Sequence, residues 1–354
     1  MAEPDYTYSF FLQPWSRVEQ NDAWYANGLF EIGLHRAAAA VRTNRKAGPI
    51  NVTGQLRFDM AESNVQNALH NAWVALEFKP YLKFKAGKFK VPFGASSLIA
   101  PSRFPTLYES FTAFHCKYNL YVAGYRSGAM LYGDITPFAG FAAGTFEYPL
   151  DQVSGASASD LYRLPIARLR LHPFSEARVE YMFAAPEMRR YGGKEGIYSR
   201  RFFLHDVALT VEHGGWYRGF LEFFSGVDTA AVKNMQEVWE GYGDNVAYSV
   251  YSAHTFTLAL PWDLGLRLTT AGEFLNGLNY IFEQFSYRPF YYVATQDVQL
   301  VLGKGVVMEL SYDMRVNERL HGFKYQRIAA QISFFSSGGF LGKKGRGEYV
   351  DLDD

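Results

Sequence analysis

The chain has 354 residues, and its 35 basic and 35 acidic side chains give a formal net charge of +0. This balance argues against a nucleic-acid-binding protein, because such proteins usually carry a basic excess. Aromatic residues make up 17% of the chain, with 30 Phe and 25 Tyr, although the mean hydropathy is only -0.15. An aromatic excess at ordinary hydropathy is typical of barrels whose rims carry girdles of Tyr, Trp and Phe.

The sequence contains no run of about 18 apolar residues, so we expect no transmembrane helix. Its first residues, Met1 to Asp5, lack the charged and apolar regions of a secretory signal, and we interpret the chain as a mature form whose leader is missing. Cys116 is the single cysteine. This excludes an internal disulfide, covalent haem attachment through a Cys-x-x-Cys-His motif and a zinc site of several thiolates. We interpret Cys116 as a thiol without a special role.

Apolar and polar residues alternate with period two along many segments, which is the pattern of β-strands with two different faces. In the segment 52–60, Leu56 and Phe58 lie on one predicted face, while Gln55 and Arg57 lie on the other. The same alternation occurs at 177–183, 264–273, 306–316 and 327–334. We predict that the apolar face contacts lipid and that the polar face lines an aqueous interior.

The breaks between these predicted strands alternate in length along the chain. Short breaks fall at 79–81, 172–175, 213–215, 261–263 and 303–305. Longer polar or glycine-rich breaks lie near 91–117, 149–161, 186–199, 226–246 and 275–288. Short turns on one rim and long loops on the other are the pattern of outer-membrane barrels.

The pattern predicts an all-β protein, a closed antiparallel transmembrane β-barrel of about 16 strands with short periplasmic turns and longer outer loops. The alternative is a soluble all-β sandwich or propeller, whose strands also alternate, although a sandwich rarely needs so many Tyr and Phe. We assign residues 1–336 to the barrel. We expect a mobile C-terminal tail at 337–354, which is rich in Gly, Lys, Arg and Asp.

Two neighbouring segments resemble a known family. They are residues 71–78, Asn-Ala-Trp-Val-Ala-Leu-Glu-Phe, and residues 83–94, which end in Gly-Lys-Phe-Lys-Val-Pro-Phe-Gly. They resemble the phosphate-selective porin family, with a weaker match at 30–37. The resemblance implies an outer-membrane barrel of about 16 strands, usually trimeric, with a long third loop folded into the lumen as a constriction. That loop would be 94–117, since Pro92 ends the strand and Gly94 allows a sharp bend.

The resemblance also implies anion selection by ladders of arginine in the pore. In the corresponding segment here, Arg36 and Arg42 are separated by four alanines and a valine. A phosphate filter needs a concentrated positive field, and the predicted lumen-facing charges are mixed, so phosphate selectivity is not expected. These charges are Arg57, Arg168, Arg170, Arg178, Arg218, Arg267, Arg315 and Arg327 against Asp59, Glu180, Asp206, Glu212, Glu222, Glu273, Asp297, Glu309 and Asp313.

The candidate residues that could attract anions at the pore wall or the constriction are all basic. They are Lys83, Lys85, Lys88, Lys90, Arg103, Arg57, Arg168, Arg170 and Arg178. Lys83 and Lys85 share one predicted face, whereas an expected change of parity at Gly87 leaves the side of Lys88 and Lys90 open. The alternatives are rim lysines that are solvated or bound to lipid head groups, and arginines that pair with Glu180 across neighbouring strands. The basic groups at 188–190 and 199–201 are interpreted as parts of a solvated loop.

The sequence has no His-x-x-x-His spacing, no Gly-x-Ser-x-Gly motif and no P-loop, so we predict no metal site, no cofactor and no enzyme activity. The first functional hypothesis is an outer-membrane porin, a water-filled channel for small solutes with a lean toward anions, surrounded by lipid and assembled as a homotrimer. The alternative is a barrel sheath that encloses or docks a periplasmic or extracellular partner such as a multihaem cytochrome. A sheath would need a bore without loop 94–117 across it.

Overall fold

The computed structural model describes residues 5–21, 29–59, 69–79, 81–99, 110–114, 116, 122–147, 161–190, 198–230, 246–262, 264–276, 290–302, 306–317 and 323–340. Strands make up most of these ranges, and the two helices are single turns. Within the same ranges, no helix is long and apolar enough to cross a membrane.

One sheet of 17 strands forms the structure. Its first eight strands are β1 (Asp5–Asn21), β2 (Leu29–Ala47), β3 (Ile50–Asp59), β4 (Leu69–Lys79), β5 (Leu82–Lys90), β6 (Tyr125–Thr136), β7 (Ala139–Glu147) and β8 (Leu161–Phe174). The others are β9 (Ala177–Ala184), β10 (Glu187–Arg190), β11 (Tyr198–His213), β12 (Tyr217–Ala230), β13 (Val246–Leu260), β14 (Leu264–Asn276), β15 (Phe290–Leu302), β16 (Val306–Asn317) and β17 (Phe323–Phe340). The helical turns are α1 (Ala95–Leu98) and α2 (Phe111–Phe114).

The two ends of the sheet meet, because β1 pairs antiparallel with both β2 and β17. The register of the closing pair runs from Tyr6 opposite Phe340 to Asn21 opposite Tyr325. A sheet joined in this way is a barrel, and its closure removes the unpaired strand edges that an open sheet would leave. The all-β antiparallel class predicted from the alternation is confirmed.

β9 and β10 occupy a single position in the barrel wall. Both strands pair with β8 on one side and with β11 on the other. Ala185 and Pro186 separate them, and the proline interrupts the ladder because it has no N–H to donate. The 17 strands therefore fill sixteen positions. Part of the long break expected at 186–199 is this short strand, so Met188 to Arg190 lie in the wall rather than in a loop.

The connections alternate in length, as the sequence predicts. Short connections follow β2, β4, β6, β8, β11, β13 and β15, and longer ones follow β1, β3, β5, β7, β10, β12, β14 and β16. Because successive positions are antiparallel, the short connections gather at one rim, which we call the short-turn rim. The turn expected at 172–175 is shorter than predicted, because β8 continues through His172 and Pro173 to Phe174.

The two faces of the barrel wall differ in the way that the alternation predicts. On β16, Leu310 and Tyr312 are exposed, whereas Ser311 and Asp313 are buried. On β3, Leu56 is 52% exposed and its neighbour Arg57 only 1%. The apolar face is thus outermost and the polar face innermost. A soluble sandwich would bury its apolar face instead, so this arrangement contradicts the sandwich alternative.

The last strand extends past the barrel boundary expected at 336. Residues 337–340 belong to β17, where Gly338 pairs with Tyr8 and Phe340 pairs with Tyr6. The N-terminal strand supplies backbone partners to a stretch of Ser and Gly that has little strand propensity of its own. The rest of the expected tail, 341–354, lies outside the described residues.

Gly87 sits inside β5 with a φ of 126°, a conformation that favours glycine. A Cβ atom at this position would overlap the backbone of Ala72 and Trp73 on β4. The pairing runs through Gly87 without a shift, with Trp73 on one side and Gly128 on the other. The expected change of parity at Gly87 is therefore not seen in the register.

We predict that Gly87→Ala lowers the free energy of unfolding by about 2 to 4 kcal/mol, because it combines a strained φ with a backbone clash. Gly54→Ala on β3 is the matched control. A Cβ there would meet only ordinary contacts, the nearest at 3.5 Å from Thr43. This substitution should therefore change the free energy of unfolding by less than about 1 kcal/mol. Chemical denaturation followed by tryptophan fluorescence measures both, and equal effects would contradict the account of Gly87.

Candidate pore interior

The connection between β5 and β6 turns into the barrel. The structure describes its residues 91–99, 110–114, 116 and 122–124, which we call the inner segment. Its base is closed by the N–H of Val91, which donates to the carbonyl oxygen of Gly124 at 2.8 Å. Further along, α1 contacts β11, and α2 contacts β13 and β14. None of these strands is next to β5 or β6 in the sheet, so the inner segment reaches them through the interior.

Two wall carboxylates hold α1. The backbone N–H of Ala95 donates to Asp206 Oδ2 at 3.1 Å, and that of Ser96 donates to Glu222 Oε1 at 2.9 Å. Asp206 on β11 and Glu222 on β12 are fully buried. Charge-assisted hydrogen bonds to backbone N–H groups are stronger than neutral ones. They fix the position of α1 against the wall.

A third wall carboxylate holds α2. Thr112 donates to Glu273 Oε1 through both its backbone N–H and its hydroxyl, at 2.6 Å each. The same hydroxyl lies 2.7 Å from Ser249 Oγ. The hydroxyl of Ser110 joins the two helical turns, since it donates to Ser96 Oγ at 3.0 Å. All these groups are buried, and the inner segment is therefore tied to the wall at two places.

Apolar packing inside the barrel accompanies these polar anchors. Phe93 meets Phe224 of β12 edge-on, with ring centroids 6.4 Å apart. Phe89 meets Phe146 of β7 in the same way at 5.2 Å. Burying one such side chain stabilises the folded state by roughly 1.5 to 3 kcal/mol. The docked inner segment thus keeps water away from the carboxylates behind it.

The predicted lysine cluster on β5 is divided among different partners. Lys83 forms an ion pair with Glu77 at 3.3 Å. The Lys85 ammonium lies 4.0 Å from the ring centroid of Trp73 and 4.9 Å from that of Phe89. Lys90 donates to the carbonyl oxygen of Ile99 in the inner segment at 3.3 Å. Lys88 pairs through its backbone with Ala72 and Ser127. The four lysines do not converge on one point.

The arginine candidates are also spread over the wall. Arg57 is buried and donates to the Tyr125 hydroxyl at 3.3 Å. Arg168 and Arg178 both contact the buried carboxylate of Glu180, and Arg170 pairs with Asp134. The cross-strand pairing with Glu180 that the sequence left as an alternative is therefore present. Arg103 lies outside the described residues.

Acidic and basic side chains on the inner face differ in their access to solvent. Six carboxylates are almost completely buried, against two arginines, Arg57 and Arg327; the carboxylates are Glu180, Asp206, Glu222, Glu273, Asp297 and Asp313. In contrast, Arg168 keeps 24% of its side-chain surface, and Arg170 and Arg178 keep 37% each. The acidic groups Glu77, Asp134 and Glu212 stay exposed, but each is paired with a lysine or an arginine. The solvent-accessible charge of the described inner face is thus weakly positive, although the whole sequence has equal numbers of acidic and basic side chains.

A second buried ion pair joins the strands next to the closing seam. Arg327 on β17 contacts Asp313 on β16, and both side chains are nearly inaccessible. The two residues are register partners, so the pair adds directly to the ladder between these strands.

No group of three or more His, Cys, Asp or Glu side chains in the described part of the chain is arranged to hold a metal ion.

We predict that Arg327→Gln destabilises the barrel by about 3 kcal/mol, because it leaves the Asp313 carboxylate buried without its guanidinium partner. Arg170→Gln is the control, since Arg170 and Asp134 form an exposed pair, and it should cost less than about 1 kcal/mol. Denaturant midpoints at one pH and salt concentration compare the two. A larger loss for Arg170→Gln would show that burial does not set the importance of these pairs.

Several solved structures share this architecture. The outer membrane channel DcaP of Acinetobacter baumannii superimposes with a TM-score of 0.64 at 11% identity, over 94% of this chain and 97% of that chain. An anion-selective porin from Comamonas acidovorans gives 0.65 at 11% identity, over 94% and 100%. OmpT of Vibrio cholerae in its trimer form gives 0.58 at 11%, over 94% and 99%. No protein-family model and no curated protein matches the sequence. At this low identity the likeness concerns the fold, and the chain has the fold of these outer-membrane channels.

Proposed function

We propose that the protein is a porin of the bacterial outer membrane, which forms a water-filled channel for passive diffusion of small solutes. The observation that carries this proposal is the barrel wall, with apolar side chains outside and polar ones inside. Such a wall satisfies every backbone hydrogen bond within itself and offers acyl chains an apolar surface. The fold shared with DcaP and with the anion-selective porin supports the same function.

Aromatic side chains at the short-turn rim support a position in a membrane. Five successive short connections after β4 carry an exposed aromatic residue at or beside the turn. These residues are Tyr81, Phe138, Phe174, Trp216 and Trp262, between 49% and 89% exposed. Exposed rings cost free energy in water but are favoured at a membrane interface, where one edge is apolar and the other is wet. A soluble protein would have little reason to repeat them at five of the seven short connections.

The inner segment and the accessible charge together support a narrow channel with a preference for anions. In this proposal the inner segment narrows the bore, which is the role expected for loop 94–117. It also covers Asp206, Glu222 and Glu273, which removes three negative charges from the path of a solute. The guanidinium groups of Arg168 and Arg178 remain in contact with solvent. Ions crossing such a bore meet a weakly positive field, which attracts anions.

The sheath hypothesis is less compatible with these contacts. A barrel that encloses a folded partner needs an unobstructed bore, whereas α1 and α2 are bonded to the wall strands β11 to β14 from within. The interior is therefore already occupied on that side. We propose passive diffusion of solutes rather than enclosure of a protein.

The channel is proposed to assemble as a homotrimer. One of the similar structures is a trimer form. In addition, the outer face between β5 and β8 carries two pairs of alanines in register, which we call the smooth patch: Ala86 is opposite Ala129, and Ala143 is opposite Ala167. The exposed Leu131 lies beside them. Small side chains allow two walls to approach closely, so we assign the subunit contact to this side.

Planar-bilayer recording of the purified protein tests the channel. We expect discrete conductance steps and a reversal potential of the sign that reports anion preference in a salt gradient.

Replacing Lys83 and Lys85 together by Gln should move the reversal potential toward zero, because both lie on the inner face of β5. Lys79→Gln at the short-turn rim is the control and should have a smaller effect. An absence of conductance steps would overturn the porin, and an unchanged potential would show that Lys83 and Lys85 do not act on the permeating ions.

The trimer is tested by a bulky substitution on the smooth patch. Ala143→Trp should lower the molar mass of the protein–detergent particle from three chains toward one, because the indole separates the two walls. Leu258→Trp is the control, since a large side chain already faces outward there and lipid accommodates it. Light scattering after size exclusion measures both masses. A trimer that persists in Ala143→Trp would move the interface elsewhere.

A further inference from the structure

The carboxyl groups of Asp206 and Glu222 form a pair on the inner wall. Asp206 is opposite Phe224 in the register and Glu222 is opposite Ala208, so the two residues are diagonal neighbours on one face. Each accepts one backbone N–H from the inner segment, and the two donors belong to the consecutive residues Ala95 and Ser96, so the two carboxyl groups lie side by side. Among the described residues, no donor reaches the other two oxygens, Asp206 Oδ1 and Glu222 Oε2.

Two carboxyl groups can share a hydrogen bond only when one of them carries a proton, and two buried carboxylates side by side repel each other. The surroundings offer little to balance a second charge. Glu180 on β9 is acidic itself and already engages Arg168 and Arg178. Tyr251 on β13, the register partner of Glu222, is neutral. Residues 91–99 of the inner segment carry no charged side chain.

We propose that Asp206 and Glu222 share one proton and act together as a proton-dependent latch for the inner segment. With the proton in place, the pair is a single negative charge held by the N–H groups of Ala95 and Ser96, and α1 stays docked. Loss of the proton leaves two like charges in a dry site. The docked arrangement then becomes less favourable than one in which water reaches both carboxylates. The inner segment therefore undocks as the pH rises.

The direction of this effect follows from proton linkage. The docked form binds one proton more than the undocked form, so raising the pH favours undocking. Above the midpoint, the ratio of undocked to docked molecules rises by about tenfold per pH unit for a transition that releases one proton. If the proposed channel function holds, undocking also widens the bore. The latch itself does not depend on conduction and can be measured without it.

Cys116 gives the readout, because this single thiol is buried in the inner segment, and we expect it to react faster with a thiol reagent once the segment leaves the wall. Asp206→Asn replaces the shared proton by an amide N–H that donates to Glu222 and keeps an oxygen for Ala95. Glu222→Gln does the same from the other side. Both variants should remain docked at alkaline pH, where the wild type opens. Dividing the wild-type labelling rate by the variant rate at each pH removes the rise that thiolate formation causes in all forms.

We expect this ratio to stay near one around neutral pH and to climb with increasing pH by up to about tenfold per unit. Asp134→Asn is the control, because Asp134 is an exposed acid on β6 that pairs with Arg170 and is not one of the carboxylates that anchor the inner segment, so its labelling should follow the wild type. A ratio that stays constant for both Asp206→Asn and Glu222→Gln would overturn the latch, as would a ratio of wild type to Asp134→Asn that climbs in the same way. A climbing ratio in a protein that shows no conductance would support the latch and overturn the channel.

Discussion

The pairing of β1 with β17 is the interaction on which the rest of the molecule depends. A sheet whose apolar side chains are on the exposed face cannot lie open in water, because its edges and its surface would both promote aggregation. Closure removes the unpaired edges, and the closed sheet encloses an interior. It also explains why Ser and Gly residues at the end of β17 can form a strand, since Tyr6 to Ser9 supply their partners.

An enclosed interior changes what a charged residue contributes. On the open face of a sheet, Asp206 and Glu222 would be ordinary solvated acids. Inside the barrel they are covered by the connection between β5 and β6, which bonds to them through its backbone and brings no basic side chain at 91–99. In the proposed channel, the charge that a solute meets is therefore set by what the inner segment leaves uncovered, chiefly the guanidinium groups of β8 and β9.

Local features of the wall could be predicted from the sequence, because period two is visible in a few residues. The alternation of Leu56 with Arg57, and of Leu310 with Ser311, is an example. Contacts between distant parts of the chain could not be predicted in this way. Ala95 and Asp206 are 111 positions apart, and no pattern in either segment indicates that the other is its partner. The same reason explains why the sequence suggested an interior of balanced charge. Burial, which decides the accessible charge, is a property of the assembled barrel.

The most direct measurement of the central claim is an accessibility scan along β16 in reconstituted bilayers. Spin labels placed one at a time from Met308 to Met314 report their exposure to oxygen dissolved in lipid and to a water-soluble nickel complex. We predict a period of two, with high oxygen exposure at the outward positions Met308, Leu310, Tyr312 and Met314 and low exposure at the residues between them. Uniform exposure along the strand, or outward positions that react mainly with the water-soluble complex, would contradict a wall that faces acyl chains.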